Sequence, residues 1–237
     1  GHNDVYGVYG ASSGEMISAY WERRLHLALT GSGLGGLVST ALAPRSDTSA
    51  DASMLEIMSR PGELAVDDPR RQLSSHMLRR NLSDIADVAS SAGIPLVLST
   101  LVSNETGFPP SSGVSIKKVD DARQTLRGIT ASAQVLSRDS LMTLVSQIRN
   151  LEDAASAFEL ARILQRHGLR REAARSYQFA RDVDPVPWRA TEQLNRVVRS
   201  VAGDRGAILA DPVAVFRDLS PLEGIGWQLM SDHLHPS

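Results

Sequence analysis

The segment Ile94-Pro95-Leu96-Val97-Leu98-Ser99-Thr100-Leu101-Val102 is a nearly continuous apolar run. It is set between a helix stop at Gly93 and the polar pair Ser103-Asn104. Preceded by a helix and a glycine, it reads as a buried parallel strand of an α/β sheet. Ligands of open α/β sheets gather at the C-terminal ends of such strands, which makes Asn104 a candidate contact residue. The plainer reading of Asn104 is a turn residue.

The helix before the strand begins at Asp67-Asp68-Pro69, with acids and a proline in the first turn. Its apolar stripe is Leu73, Met77, Leu78, Leu82, Ile85 and Val88. An earlier helix is expected over about residues 15–29, closed by Gly31-Ser32-Gly33. Residues 45–53 read as a surface loop, and so do residues 105–116, with Phe108-Pro109-Pro110. From about Val119 to Val201 the pattern is helical throughout. A second strand is expected at Ala207-Ile208-Leu209-Ala210-Asp211, stopped by Pro212.

Several function classes fall away on composition. The 237 residues carry 25 basic and 27 acidic side chains, a net charge of −2. That balance gives no general grip on nucleic acid. Without cysteine there is no disulfide framework, no thiolate zinc site and no cysteine nucleophile. No segment reaches the length of a membrane span, and the opening residues carry no signal-peptide pattern, so the sequence indicates no compartment. Gly31-Ser32-Gly33-Leu34-Gly35-Gly36 lacks the Lys-Ser/Thr of a phosphate loop. His2 and Asp4 could meet the C-terminal histidines, but no spacing requires a metal, and no cofactor is expected.

Within the helical stretch, Leu160, Ala161 and Leu164 face Ala173, Tyr177 and Ala180 across a turn at Gly168, and Pro185 ends the second helix. The spacing resembles a tetratricopeptide hairpin over about residues 154–185. Plain core packing is the simpler role for one such hairpin; a peptide-binding groove is the other.

The two ends of the chain hold the candidate chemistry. Asp232 stands three residues before His235 and can hold the imidazole Nδ1–H, leaving Nε2 as a base. Gly1-His2-Asn3-Asp4 opens the chain, and Asp232-His233-Leu234-His235-Pro236 nearly closes it. Together these blocks resemble the SGNH (GDSL-like) hydrolase superfamily, in particular its tetratricopeptide-containing subgroup. The strand 96–104 and the segment Arg181 to Arg189 resemble that subgroup as well. The resemblance implies a flavodoxin-like three-layer α/β/α fold and hydrolysis of carboxylic esters. It implies an oxyanion-hole role for Asn3 and triad roles for Asp232 and His235. Arg189, beside Trp188, would be a further substrate contact.

The family's nucleophile block precedes the Gly-x-Asn-Asp block. The resemblance therefore implies an N-terminally truncated chain that is inactive alone. Gly10-Ala11-Ser12-Ser13-Gly14 matches the Gly-x-Ser-x-Gly elbow, with Ser12 as nucleophile, but too little chain precedes it for that fold. Helix capping by Ser12 or Ser13 is the plainer reading. The expected organisation is an α/β domain from residues 1–118 and 203–237, with a helical insert over 119–202. The expected partners are an ester substrate and, through the insert, a protein. The alternative function is a non-catalytic helical protein-interaction module.

Overall fold

The computed structural model describes residues 63–111, 116–132, 135–220 and 224–237. Asn3, Ser12 and Ser13 lie outside the described residues, as do the expected helix over 15–29 and the Gly31–Gly36 segment.

Helix α1 spans Pro69–Ser91. Asp68 caps it by accepting the Arg70 backbone N–H at 2.9 Å, and Pro69 fills the first turn, where no N–H is needed. Strand β1 follows at Val97–Ser99. Five helices come next: α2 (Lys117–Ser132), α3 (Arg138–Leu151), α4 (Ala154–Arg166), α5 (Arg170–Asp182) and α6 (Glu192–Arg205). Strand β2 (Ile208–Ala210) and helix α7 (Pro212–Leu219) complete the order. Gly206 closes α6 in the left-handed conformation at φ 65°, which a side chain would disfavour.

The two strands are parallel, with Val97 opposite Ile208, Leu98 opposite Leu209 and Ser99 opposite Ala210. They are the only sheet among the described residues. This corrects the expected three-layer α/β/α sandwich of flavodoxin type: the described chain is mainly a helical bundle with a minimal, open sheet. A parallel sheet in α/β proteins is covered on both faces. Here α6 packs on the strands, burying Leu98 against Leu194, Val198 and Val201. Val97 and Ile208, paired in register, are each 57% exposed.

The apolar run 94–102 yields only three residues of strand because a distant side chain takes over its backbone. The Thr100 N–H still donates to the Ala210 carbonyl at 3.0 Å, but at Leu101 the backbone finds a side-chain partner. The buried Asn195 of α6 accepts the Leu101 N–H at 2.8 Å through Oδ1 and donates to the Leu101 carbonyl at 3.1 Å through Nδ2. One amide thus satisfies both groups that a neighbouring strand would pair. The Thr100 hydroxyl meanwhile donates to Asp211 at 2.7 Å.

The larger core lies among α2–α5. Antiparallel α4 and α5 bury Leu160, Ala161, Ile163 and Leu164 against Ala173, Tyr177 and Ala180. Leu126 of α2 and Leu141 and Ile148 of α3 close its other side. Small residues at 161, 173 and 180 let the two helices approach, and burial of the larger ones supplies the drive. Asp153 caps α4 through the Ser156 N–H at 2.9 Å and pairs with Arg123 of α2 at 2.6 Å, which joins the two helices. No described helix is long and apolar enough to cross a membrane.

Candidate functional site

A groove of about 730 Å³ runs along the outer side of the α4–α5 hairpin. Its floor is Ala155, Phe158 and Tyr177, and its far wall is Pro109, Pro110 and Trp227. Phe158 and Tyr177 meet edge to face, with ring centroids 5.0 Å apart. The Tyr177 hydroxyl donates to Gln165 at 3.1 Å, and burial pushes its phenol up to about 12. Trp227 is 56% exposed, although its type is among the costliest to leave in water.

The wall is held open by close packing of two loops. Residues 104–108 and 224–228 lie so close that a Cβ on Gly107 would fall 2.6 Å from Cδ1 and 2.7 Å from Cε2 of the Trp227 indole. In this position the indole leaves no room for a side chain at residue 107. The Glu105 and Thr106 N–H groups both donate to the Ile225 carbonyl, at 2.7 and 3.0 Å, which fixes the register of the two loops.

Polar groups line the rim of the groove. The Arg166 guanidinium on α4 donates to the Thr130 hydroxyl at 3.1 Å, and that hydroxyl donates to Glu159 at 2.6 Å. Arg162 lies 3.6 Å from the other Glu159 oxygen, with its own side chain 62% exposed.

The C-terminal residues form a second feature, close to the same loop. The Asp232 carboxylate accepts the backbone N–H groups of Leu234 and His235 at 2.6 and 2.7 Å. It also lies 2.6 Å from His235 Nδ1. The histidine contact and the two N–H groups hold this carboxyl well below the usual carboxylate range. Both side chains are largely open to solvent, at 45% and 74%. Asn104 is fully buried and anchors the segment. Its N–H donates to the His233 carbonyl at 3.1 Å and its Nδ2 to the Asp232 carbonyl at 3.3 Å. Its Oδ1 accepts from Gly107 at 2.8 Å. Phe108 stacks on His233 at 5.0 Å.

Arg189 is buried and donates to the carbonyls of Asn104 and Phe108, at 2.9 and 2.7 Å, and to Asp184 at 3.2 Å. Asn104 and Arg189 thus spend their polar atoms on the loop that carries the groove wall. They belong to a wider buried ionic seam. Arg181 is paired with Glu105 and with Asp182. Arg71 donates to the carbonyls of Leu64, Asp182 and Asp184. Burial pushes the Glu105 carboxyl up, while Arg181 and Arg217 pull it back down. Burial likewise raises Asp184 and lowers Arg189. This seam was not visible in the sequence, because its members come from four separate stretches of chain.

Comparisons with family models, with curated proteins and with solved structures find no match for this chain. The SGNH reading is corrected on that ground and on the two-stranded sheet. The esterase activity, catalytic triad and oxyanion hole drawn from it fall with it. Among the described residues no hydroxyl nucleophile stands at His235 Nε2, and no three His, Asp or Glu side chains converge to hold a metal. Nothing in the groove selects an ester.

Proposed function

We propose that the chain is a non-catalytic helical protein-interaction module and that the groove on the α4–α5 hairpin receives a peptide segment of a partner. The observation that carries this reading is the placement of Trp227. Its indole lies directly against Gly107, where a Cβ would collide with the ring, yet more than half of it is left in water facing Pro109 and Pro110. Aromatic side chains held rigidly at a surface lose little entropy when covered, and they dominate the energetics of protein interfaces. Phe158 and the two prolines extend the apolar surface into a strip suited to an extended chain.

Two further points support the reading. The groove walls come from a hairpin with a dry apolar core and from loops pinned by a buried ionic seam, so the surface is preorganised. Its rim also mixes hydrogen-bond donors and acceptors (Thr130, Gln165, Arg166) as protein interfaces do.

The test is chemical-shift mapping on isotope-labelled full chain against a panel of short peptides of varied composition. Saturable shifts confined to the indole N–H of Trp227, Phe158 and residues 106–110 are expected for at least one member. Phe158→Ala should remove them, with spectral changes in the free protein limited to the neighbours of the lost ring, such as Tyr177. Shifts absent across the panel, or centred elsewhere, would refute the assignment.

A further inference from the structure

The aromatic strip does not discriminate among partners, but the charges beside it do. Resting on the interaction reading above, we propose that the segment bound in the groove is acidic. A carboxylate of the segment pairs with Arg162 and Arg166, and an adjacent apolar side chain covers Phe158 and Trp227.

Three observations carry this. First, the charged side chains lining the groove are two arginines and one glutamate, a positive surplus on a chain whose net charge is −2. Second, the glutamate is already engaged. Glu159 accepts from Thr130 at 2.6 Å and lies 3.6 Å from Arg162, so its charge is not directed at an incoming cation. Third, the arginines stand four apart on α4, and this spacing puts them on one helix face. Arg162 is 62% exposed and makes one long ion pair, leaving guanidinium N–H groups facing water. Arg166 donates to the carbonyl and hydroxyl of one residue, Thr130, at 3.4 and 3.1 Å.

A guanidinium presents five N–H donors in a planar fork that fits a carboxylate bidentately. Two such forks beside an apolar strip select an apolar residue flanked by acids. A basic segment would meet the same two cations with no free carboxylate to answer it. Nucleic acid is less well matched, because the surplus is local and the chain as a whole is acidic.

The experiment uses the full chain and two fluorescein-labelled peptides, Gly-Glu-Phe-Pro-Glu-Gly and its counterpart with lysine for both glutamates, read by anisotropy at low salt. The acidic peptide should bind about tenfold more tightly than the basic one, and added salt should erode that preference. In the double variant Arg162→Gln/Arg166→Gln the preference should disappear while both peptides retain Phe158-dependent binding. These arginines lie at the surface, so an unchanged thermal melt is the check that the variant folds.

Equal binding of the two peptides, abolished by Phe158→Ala, would overturn the acidic assignment and leave the groove as a peptide site. A preference that survives the double variant would overturn it too, by placing the selectivity elsewhere. Absence of saturable binding for both peptides, or tighter competition by a single-stranded oligonucleotide than by the acidic peptide, would also sink it.

Discussion

The α4–α5 hairpin and the ionic seam meet at consecutive residues of one helix and are held by opposite means. Ala180 ends the apolar core of the hairpin, and Arg181 begins the seam; they are 1% and 2% exposed. On the hairpin side, burial of Leu160, Ile163 and Leu164 needs no partner atoms and tolerates modest rearrangement. On the seam side, each buried charge is tied to a specific partner, and the loss of one strands another. The difference explains how one small fold presents a rigid groove. The hairpin supplies stability, and the seam supplies position, because Arg181 and Arg189 fix the loop that carries Glu105, Gly107 and Phe108.

The contrast is breakable by substitution. Arg181→Met leaves Glu105 buried without its principal cation and should cost about 3–5 kcal/mol in denaturant unfolding. Adding Glu105→Leu to it should recover most of that loss. A single-variant cost below about 1 kcal/mol would show that the seam positions nothing. Leu164→Ala, in the hairpin, should cost about 3 kcal/mol through its cavity, with little response to salt.

Gly107→Ala drives a Cβ into the indole and should cost about 2 kcal/mol. It should also shift Trp227 fluorescence and weaken peptide binding, because the groove wall moves.

The pH dependence sharpens the comparison further. Hydrogen bonds from Arg199, then from Thr100, hold the Asp211 carboxyl at about 2, below the usual aspartate range. A carboxyl lowered by folding contributes stability above its unfolded pKa. That contribution is lost as pH falls from about 4 toward 2. Asp211→Asn should therefore flatten the acid limb of the stability profile by about 1–2 kcal/mol. At the smallest end, the exposed pair Arg205–Asp87, 2.9 Å apart, should contribute under about 0.5 kcal/mol, and Arg205→Ala should leave the melting curve almost unmoved.

What the sequence revealed follows the same division. Local signals were legible. Asp68-Pro69 marked the start of α1, and Pro212 marked the end of β2. The apolar spacing in Ala173, Tyr177 and Ala180 is the buried face of α5. Signals that needed partners distant in sequence were not. The run 94–102 reads as a full strand, yet Asn195, more than ninety residues away, takes over the backbone at Leu101.

The function went astray for a related reason. Asp232 and His235 do make the contact their spacing suggests, at 2.6 Å. A dyad, however, specifies no reaction without the fold that sets a nucleophile opposite it, and the described sheet has two short strands. The hairpin spacing admitted a peptide-binding groove, but its lining was not legible, because Trp227, Phe158 and Pro109 are brought together only by packing. Sequence spacing gave no hint of Gly107 beneath the indole.

Hydrogen–deuterium exchange of the full chain, with and without a saturating groove-binding peptide, tests the central claim most directly. A binding module working through this groove predicts slowed exchange in residues 106–110, along α4 and around Trp227, with β1 and β2 unchanged. Protection centred on the open sheet at Val97 and Ile208, with the groove unaffected, would contradict it.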